Sequence, residues 1–248
     1  MRLSKLLMAV SVVLVMMSGC MGPSAQEEIY DHLEEAVSLE DKFREQQQPL
    51  VNLEKEEKEL YNQIIDLSMD EFEKIKSLSQ EAAAIVEERK EKLELEKESI
   101  DAAKEEFDKI EPLIEDIDDE NAEAKDKANE LYEAMQNRYD AYQNLHSAYS
   151  EALDLDAELY EMLQNEDLKE EDLQAQIEDI NQSYQQVIEA NKEFNQYTQE
   201  YNELKKEFYK ASNLDVSYDE SDKQSSKAEN NEEKSNEGNS ENSEDSQE

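Results

Sequence analysis

The chain has little of what most catalytic and β-rich proteins are made from. Its 248 residues include no tryptophan, one cysteine, three glycines and three prolines. The glycines are Gly19, Gly22 and Gly238, so none falls between residues 23 and 237. Glycine is the usual solution for tight hairpin turns and for loops that wrap phosphate, which sets aside a β-rich fold and a phosphate-binding loop. A single cysteine, Cys20, rules out an intrachain disulfide. The two histidines, His32 and His146, have Ile29 and Gln143 three residues before them, so the Glu-x-x-His pattern of di-iron bundles is missing. His146 reads as a packed, hydrogen-bonded core residue. No Gly-x-Ser-x-Gly, clustered Ser/His/Asp set or zinc spacing occurs. The expectation is a non-enzyme with no catalytic residue, no metal ligand and no cofactor.

Positive charge is scarce as well: 25 Lys and Arg stand against 67 Asp and Glu, a net charge of −42. Such a surface repels nucleic acid, whose binding relies on Lys and Arg neutralising phosphate, and it repels anionic lipid heads and anionic wall polymers. Cations, basic proteins and uncharged glycans are the partners left. The densest acidic cluster, Glu115, Asp116, Asp118, Asp119 and Glu120, lacks the glycine and the oxygen ladder of an EF-hand loop. It reads as a solvated helix junction, with weak, low-specificity cation binding as the alternative.

What is present starts with Arg2 and Lys5, followed by an apolar run from Leu6 to Met17 and the small residues Ser18 and Gly19. Twelve residues are too few to cross a bilayer, which takes about 20; a charged start, a short apolar centre and small residues describe a secretory signal peptide. Ser-Gly-Cys at its end is similar to a bacterial lipobox, with Met17 where leucine is usual. The expectation is cleavage between Gly19 and Cys20 and a diacylglyceryl group on the Cys20 sulfur. Two acyl chains hold a protein firmly where one does not. An ordinary cysteine would behave as a small core hydrophobe, but the boundary position argues for lipidation. Losing Arg2 and Lys5 leaves 23 basic against 67 acidic residues, a charge of −44. The expected location is the outer face of the cell membrane.

Beyond Cys20, good helix formers dominate, and apolar residues recur at alternating steps of three and four. The second helix reads Phe72, Ile75, Ser79, Ala82, Val86, Arg89, Leu93, Glu96, Ile100, Ala103, Phe107, Ile110, Ile114 and Ile117, a seam that Ser79, Arg89 and Glu96 interrupt. The last reads Ile177, Ile180, Tyr184, Val187, Asn191, Phe194, Thr198 and Tyr201, with Asn191 expected inside the seam to fix register. The third carries one seam through Leu131, Met135 and Tyr142, and a second with a strict seven-residue repeat: Tyr132, Tyr139, His146, Leu153 and Tyr160. Two stripes mean more than one neighbour. The first helix, Ser24 to Ile65, is expected to kink or break just before Pro49, and the second just before Pro112. Ser68 with Glu71 reads as a capping box, Asp118 and Asp119 as N-caps, and Asn165 to Lys169 as a turn.

The predicted fold is all-α: a long antiparallel bundle of three to four helices with coiled-coil-like packing. The layout is a signal peptide over 1–19, a lipidated link over 20–23, the bundle over 24–212 and a disordered acidic Ser/Asn/Glu-rich tail over 213–248. A bundle about 60 to 70 Å long would project that tail well into the wall zone.

The N-terminal third, with Ser-Gly-Cys-Met-Gly-Pro-Ser-Ala, Glu-Glu-Ile-Tyr at 27–30, Glu-Gln-Gln-Gln-Pro-Leu at 45–50, Glu-Lys-Glu-Leu-Tyr at 57–61 and the Asp66 to Glu73 junction, resembles the YkyA family of cell-wall-binding lipoproteins of Gram-positive bacteria. The resemblance runs to about residue 212. It implies a long-helix bundle, membrane attachment through Cys20, a cell-wall or surface-protein partner and no catalytic residues. Two functions follow as expectations: a non-enzymatic binding or spacer module on the membrane, or an extracytoplasmic chaperone or regulator that holds basic or unfolded secreted proteins. A wall hydrolase is the weakest reading.

Overall fold

A computed structural model describes residues 23–214; the expected signal peptide over 1–19, Cys20 and most of the tail expected over 213–248 lie outside the described residues. The chain is all-α: α1 (Ala25–Leu39), α2 (Asp41–Ile65), α3 (Phe72–Phe107), α4 (Ile110–Glu115), α5 (Ala122–Met162) and α6 (Glu170–Ala211), with single 3-10 turns at Met69–Glu71 and Asp119–Asn121. They form four arms, because α2 continues α1 and α4 continues α3. Short links fold each arm back on the last. The two hairpins α2–α3 and α5–α6 pack together through α3 and α5, and α1 lies along α3 and α4. At 1.5 Å per residue an arm is about 60 Å long.

The α3 seam is buried from Ile75 to Phe107 and on through Ile110, Ile114 and Ile117, while its first member, Phe72, is only partly buried. The three polar members are buried too. Core residues gather in three layers: Leu33, Phe107, Leu131 and Phe208 near the termini, Ile100, Tyr142 and Phe194 in the middle, and Ile64, Val86, Leu153 and Tyr160 at the far end.

The first arm breaks at Glu40, and α2 runs unbroken through Pro49. The cause of the break is a side chain from another arm. Ser99 of α3 donates to the Leu39 carbonyl (2.6 Å) and accepts the Phe43 N–H (3.1 Å), occupying the place of the helical bond those two groups would make. A group inserted into the backbone ladder bends a helix as a proline does. At Pro49 the carbonyl deprived of a donor belongs to Glu45, which is exposed, so water can replace the lost bond. Pro112 behaves as expected: α3 stops at Phe107, and the Asp108 carbonyl, which Pro112 cannot satisfy, accepts from Glu111 instead (3.2 Å).

Caps differ from expectation. Ser68 and Asp118 make no side-chain cap bond, because each starts a 3-10 turn whose backbone closes on itself, Glu71 N–H on Ser68 and Asn121 N–H on Asp118 (2.8 Å each). Asp119 lies inside its turn. The reciprocal capping box forms at Ser24 and Glu27, where α1 begins. The Asn165 turn forms as expected, its side chain accepting from the Asp167 N–H (3.1 Å). Asn191 is only half-buried and accepts from Asn195 of its own helix (2.9 Å), so it does not set register between helices.

With four antiparallel arms, both ends of the bundle's chain lie together. Tyr30 and Tyr209 stack edge to face at 5.1 Å, the Tyr209 hydroxyl donates to Glu34 (2.7 Å), and Leu214 packs into the layer formed by Ile29 and Leu33. The expectation that the bundle carries the tail outward to its far end is therefore corrected: the chain leaves the bundle beside the point where α1 starts.

Candidate functional site

Of the three seam positions that looked like interruptions, Ser79 donates to the Ile75 carbonyl of its own helix (2.8 Å), and Arg89 is where the four arms meet. Arg89 of α3 is 2% exposed. Its Nη1 donates to Glu57 of α2 and to Asp156 of α5 (3.4 Å), and its Nη2 to Glu54 (3.4 Å), Tyr149 (2.9 Å) and Tyr184 of α6 (2.9 Å). The tyrosine hydroxyls pass the network on, Tyr184 donating to Asp156 (2.5 Å) and Tyr149 to Glu54. One guanidinium thus faces three carboxylates. Burial raises the Glu57 and Asp156 carboxyls above the usual carboxylate range, although Arg89 opposes the shift.

A second layer centres on Arg138 of α5. It forks onto Glu40 at the α1–α2 break (2.6 and 2.9 Å), donates through Nε to Thr198 of α6 (3.1 Å), and lies over the Phe194 and Tyr201 rings at 5.2 and 5.6 Å. Such planar, bidentate pairing suits arginine and not lysine. Between the two layers lies Glu96, 4% exposed, which accepts one hydrogen bond, from Gln47 (2.6 Å). Burial pushes its carboxyl up to about 8, so near neutral pH it is mostly the uncharged acid.

The sequence-predicted candidates are scattered. His32 of α1 lies 2.7 Å from Glu106 of α3. His146 is on α5, 3.6 Å from Glu94, with its pKa lowered by burial. The structure does not bring the two histidines together. Among the described residues no cluster of three metal-ligating side chains is found, and no helix is long and apolar enough to cross a membrane. Glu115, Asp116, Asp118, Asp119 and Glu120 are exposed, and Lys125 reaches the carbonyl and carboxylate of Glu115 (3.1 and 3.3 Å).

Sequence reading missed Arg138, Glu40, Glu57 and Asp156. One signal was available: the chain has only four arginines, Arg2, Arg44, Arg89 and Arg138, and Arg138 fills the step between Met135 and Tyr142 on the α5 seam. Arginine at seam spacing in a lysine-rich chain marks a buried pair.

Fold and site together define an elongated antiparallel four-helix bundle whose buried charged layers clamp its arms to one another. The chain belongs to the YkyA family, whose description reads "Putative cell-wall binding lipoprotein" and which matches residues 24–211. That is a family of lipoproteins named for binding, not for an enzymatic reaction. The chain is 33% identical over 202 residues to "Uncharacterized lipoprotein YkyA" of Bacillus subtilis (strain 168), covering 82% of this chain and 90% of that one. A crystal structure of a conserved protein of unknown function from Staphylococcus aureus shares the fold, with TM-score 0.51 at 18% identity over 78% of this chain and 98% of that one.

Proposed function

We propose that the protein is a non-enzymatic lipoprotein, cleaved between Gly19 and Cys20 and held by a diacylglyceryl group on Cys20, that stands on the outer face of the cell membrane as a rigid wall- or surface-binding spacer. In this reading residues 1–19 are the signal peptide, 20–23 the link, 24–212 the bundle and 213–248 an acidic tail. The observation that carries it is the position of the Ser24 capping box. It starts α1 only four residues after Cys20, so a lipid there would seat the bundle directly against the bilayer. The family description supports the binding role. The charge of the chain, −42, turns that role toward uncharged glycan and away from anionic wall polymer.

Two measurements test the reading. Cys20→Ala leaves the fold intact and releases the protein to the medium; retention of that variant in washed membranes refutes the anchor. The mature protein sediments with purified wall, and does so undiminished after anionic polymers are stripped. Loss of binding on stripping refutes glycan as the ligand.

A further inference from the structure

The end of the bundle opposite the chain termini is unlike the rest of the surface. Ile65 and Met69 are 59% and 61% exposed, the two most exposed of the large apolar side chains among the described residues. They flank Leu67 on the turn between α2 and α3, and Leu67 is held by the far core layer that also takes in Leu163, at the start of the α5–α6 turn. Single exposed apolar residues are ordinary. A pair on one short turn, in a chain of mean hydropathy −1.01, is not scattered at random.

Both turns at this end are acidic. Asp66, Asp70 and Glu71 on one turn and Glu166, Asp167 and Glu170 on the other are all exposed, and among the described residues none of these six has an ion-pair partner. The opposite end is acidic too, with Asp116, Asp118, Asp119 and Glu120 exposed on the α4–α5 turn, but none of the exposed large apolar side chains lies there, so only the distal tip combines exposed acids with an exposed apolar pair. Only Lys169 offers a positive charge within the two distal turns.

We infer that this tip is a docking site for a basic, amphipathic segment of another extracytoplasmic protein, one that places an apolar side chain between lysines or arginines. Ile65 and Met69 receive the apolar group, and the unpaired carboxylates receive its cationic flanks. The charge pattern selects this occupant. A second copy would bring the same acids, and anionic lipid or wall polymer would be repelled by them. The inference goes beyond the spacer reading. It names the partner's chemistry and puts contact about 60 Å from the anchored end.

The test uses the mature lipidated chain in nanodiscs of neutral lipid, with empty nanodiscs as the blank. The probes are a labelled helical Lys/Leu peptide and a Lys/Ser peptide of equal charge. The Lys/Leu peptide binds, and raising the salt from about 0.05 M to about 0.3 M weakens binding at least tenfold, as exposed charge pairs require. Ile65→Ser with Met69→Ser weakens it at least tenfold without moving the melting temperature, and Asp66→Asn with Asp70→Asn and Glu71→Gln weakens it severalfold. Equal binding by the Lys/Ser peptide, or full affinity in the Ile65/Met69 variant, overturns the proposal in favour of diffuse attraction along the acidic arms. Self-association that disappears in the same variant overturns it in favour of a second copy. The behaviour of Cys20→Ala bears only on the anchor, so the two readings fail separately.

Discussion

Glu96→Gln should stabilise the protein, and increasingly so as pH rises. Glu96 is 4% exposed and holds one hydrogen bond, from Gln47, and its carboxyl is raised from 4.5 to about 8. A raised folded-state pKa means that the native state keeps a proton the unfolded chain releases. Stability is therefore lost as pH climbs from about 4.5 to about 8, and the loss levels off above that. One pH unit corresponds to about 1.4 kcal/mol, so the penalty is about 3 kcal/mol at pH 7 and about 5 kcal/mol above pH 8. Glutamine fills the same space, offers Gln47 the same kind of acceptor, and never ionises. Burying its amide costs part of the gain, leaving about 2 to 4 kcal/mol at pH 9. For a bundle of this size that is a rise of about 5 to 15 °C in melting temperature. The assay is thermal unfolding followed by helical circular dichroism at pH 5, 7 and 9 for both proteins. The curves should nearly coincide at pH 5 and separate progressively. A gap independent of pH, or a less stable variant at pH 9, would show that Glu96 ionises in the native state at little cost and refute the reasoning.

Two further perturbations act on the same layers. Arg89→Met leaves Glu57 and Asp156 buried without a counter-charge and should cost about 3 to 5 kcal/mol at neutral pH; adding Glu57→Gln and Asp156→Asn should restore most of it in urea titrations, and failure to restore it would mean that packing, not charge, holds the layer. Ile100→Asp places an unpaired charge in the middle core layer, where Ile100 is 3% exposed, and should cost at least about 3 kcal/mol; an unchanged unfolding midpoint would show that this layer is open to water.

The apolar framework was legible because helical periodicity is a local property. Each residue from Ile75 to Ile117 picked out by steps of three and four is buried in the bundle. The charged layers were not legible, because their partners are distant in sequence: Arg89 finds Glu57 on α2 and Tyr184 on α6. Within a single helix, Arg89 and Glu96 read as gaps in a seam, and only the other arms, all three for Arg89 and α2 for Glu96, show that they are contacts. The break in the first arm was misplaced for the same reason. Pro49 is a local signal, but the bend belongs to Ser99, which acts from α3 on the backbone between Leu39 and Phe43. Asn191 marks the opposite limit, where a polar residue at seam spacing turned half outward and bonded to its own helix.

That the bundle's two chain ends lie side by side gives the molecule two mechanical directions. A load applied at the Ile65–Met69 turn and resisted at Ser24 runs along the first arm and shears it against α3 and α4 over its whole length, so the apolar and charged contacts between them would have to slip together. A load between Ser24 and Leu214 instead peels α1 from α6 at one end, starting with Tyr30 on Tyr209 and then Glu34 on Lys205, a turn at a time. The same molecule is a stiff strut against force from its far end and a zipper against a tug on its C-terminal extension.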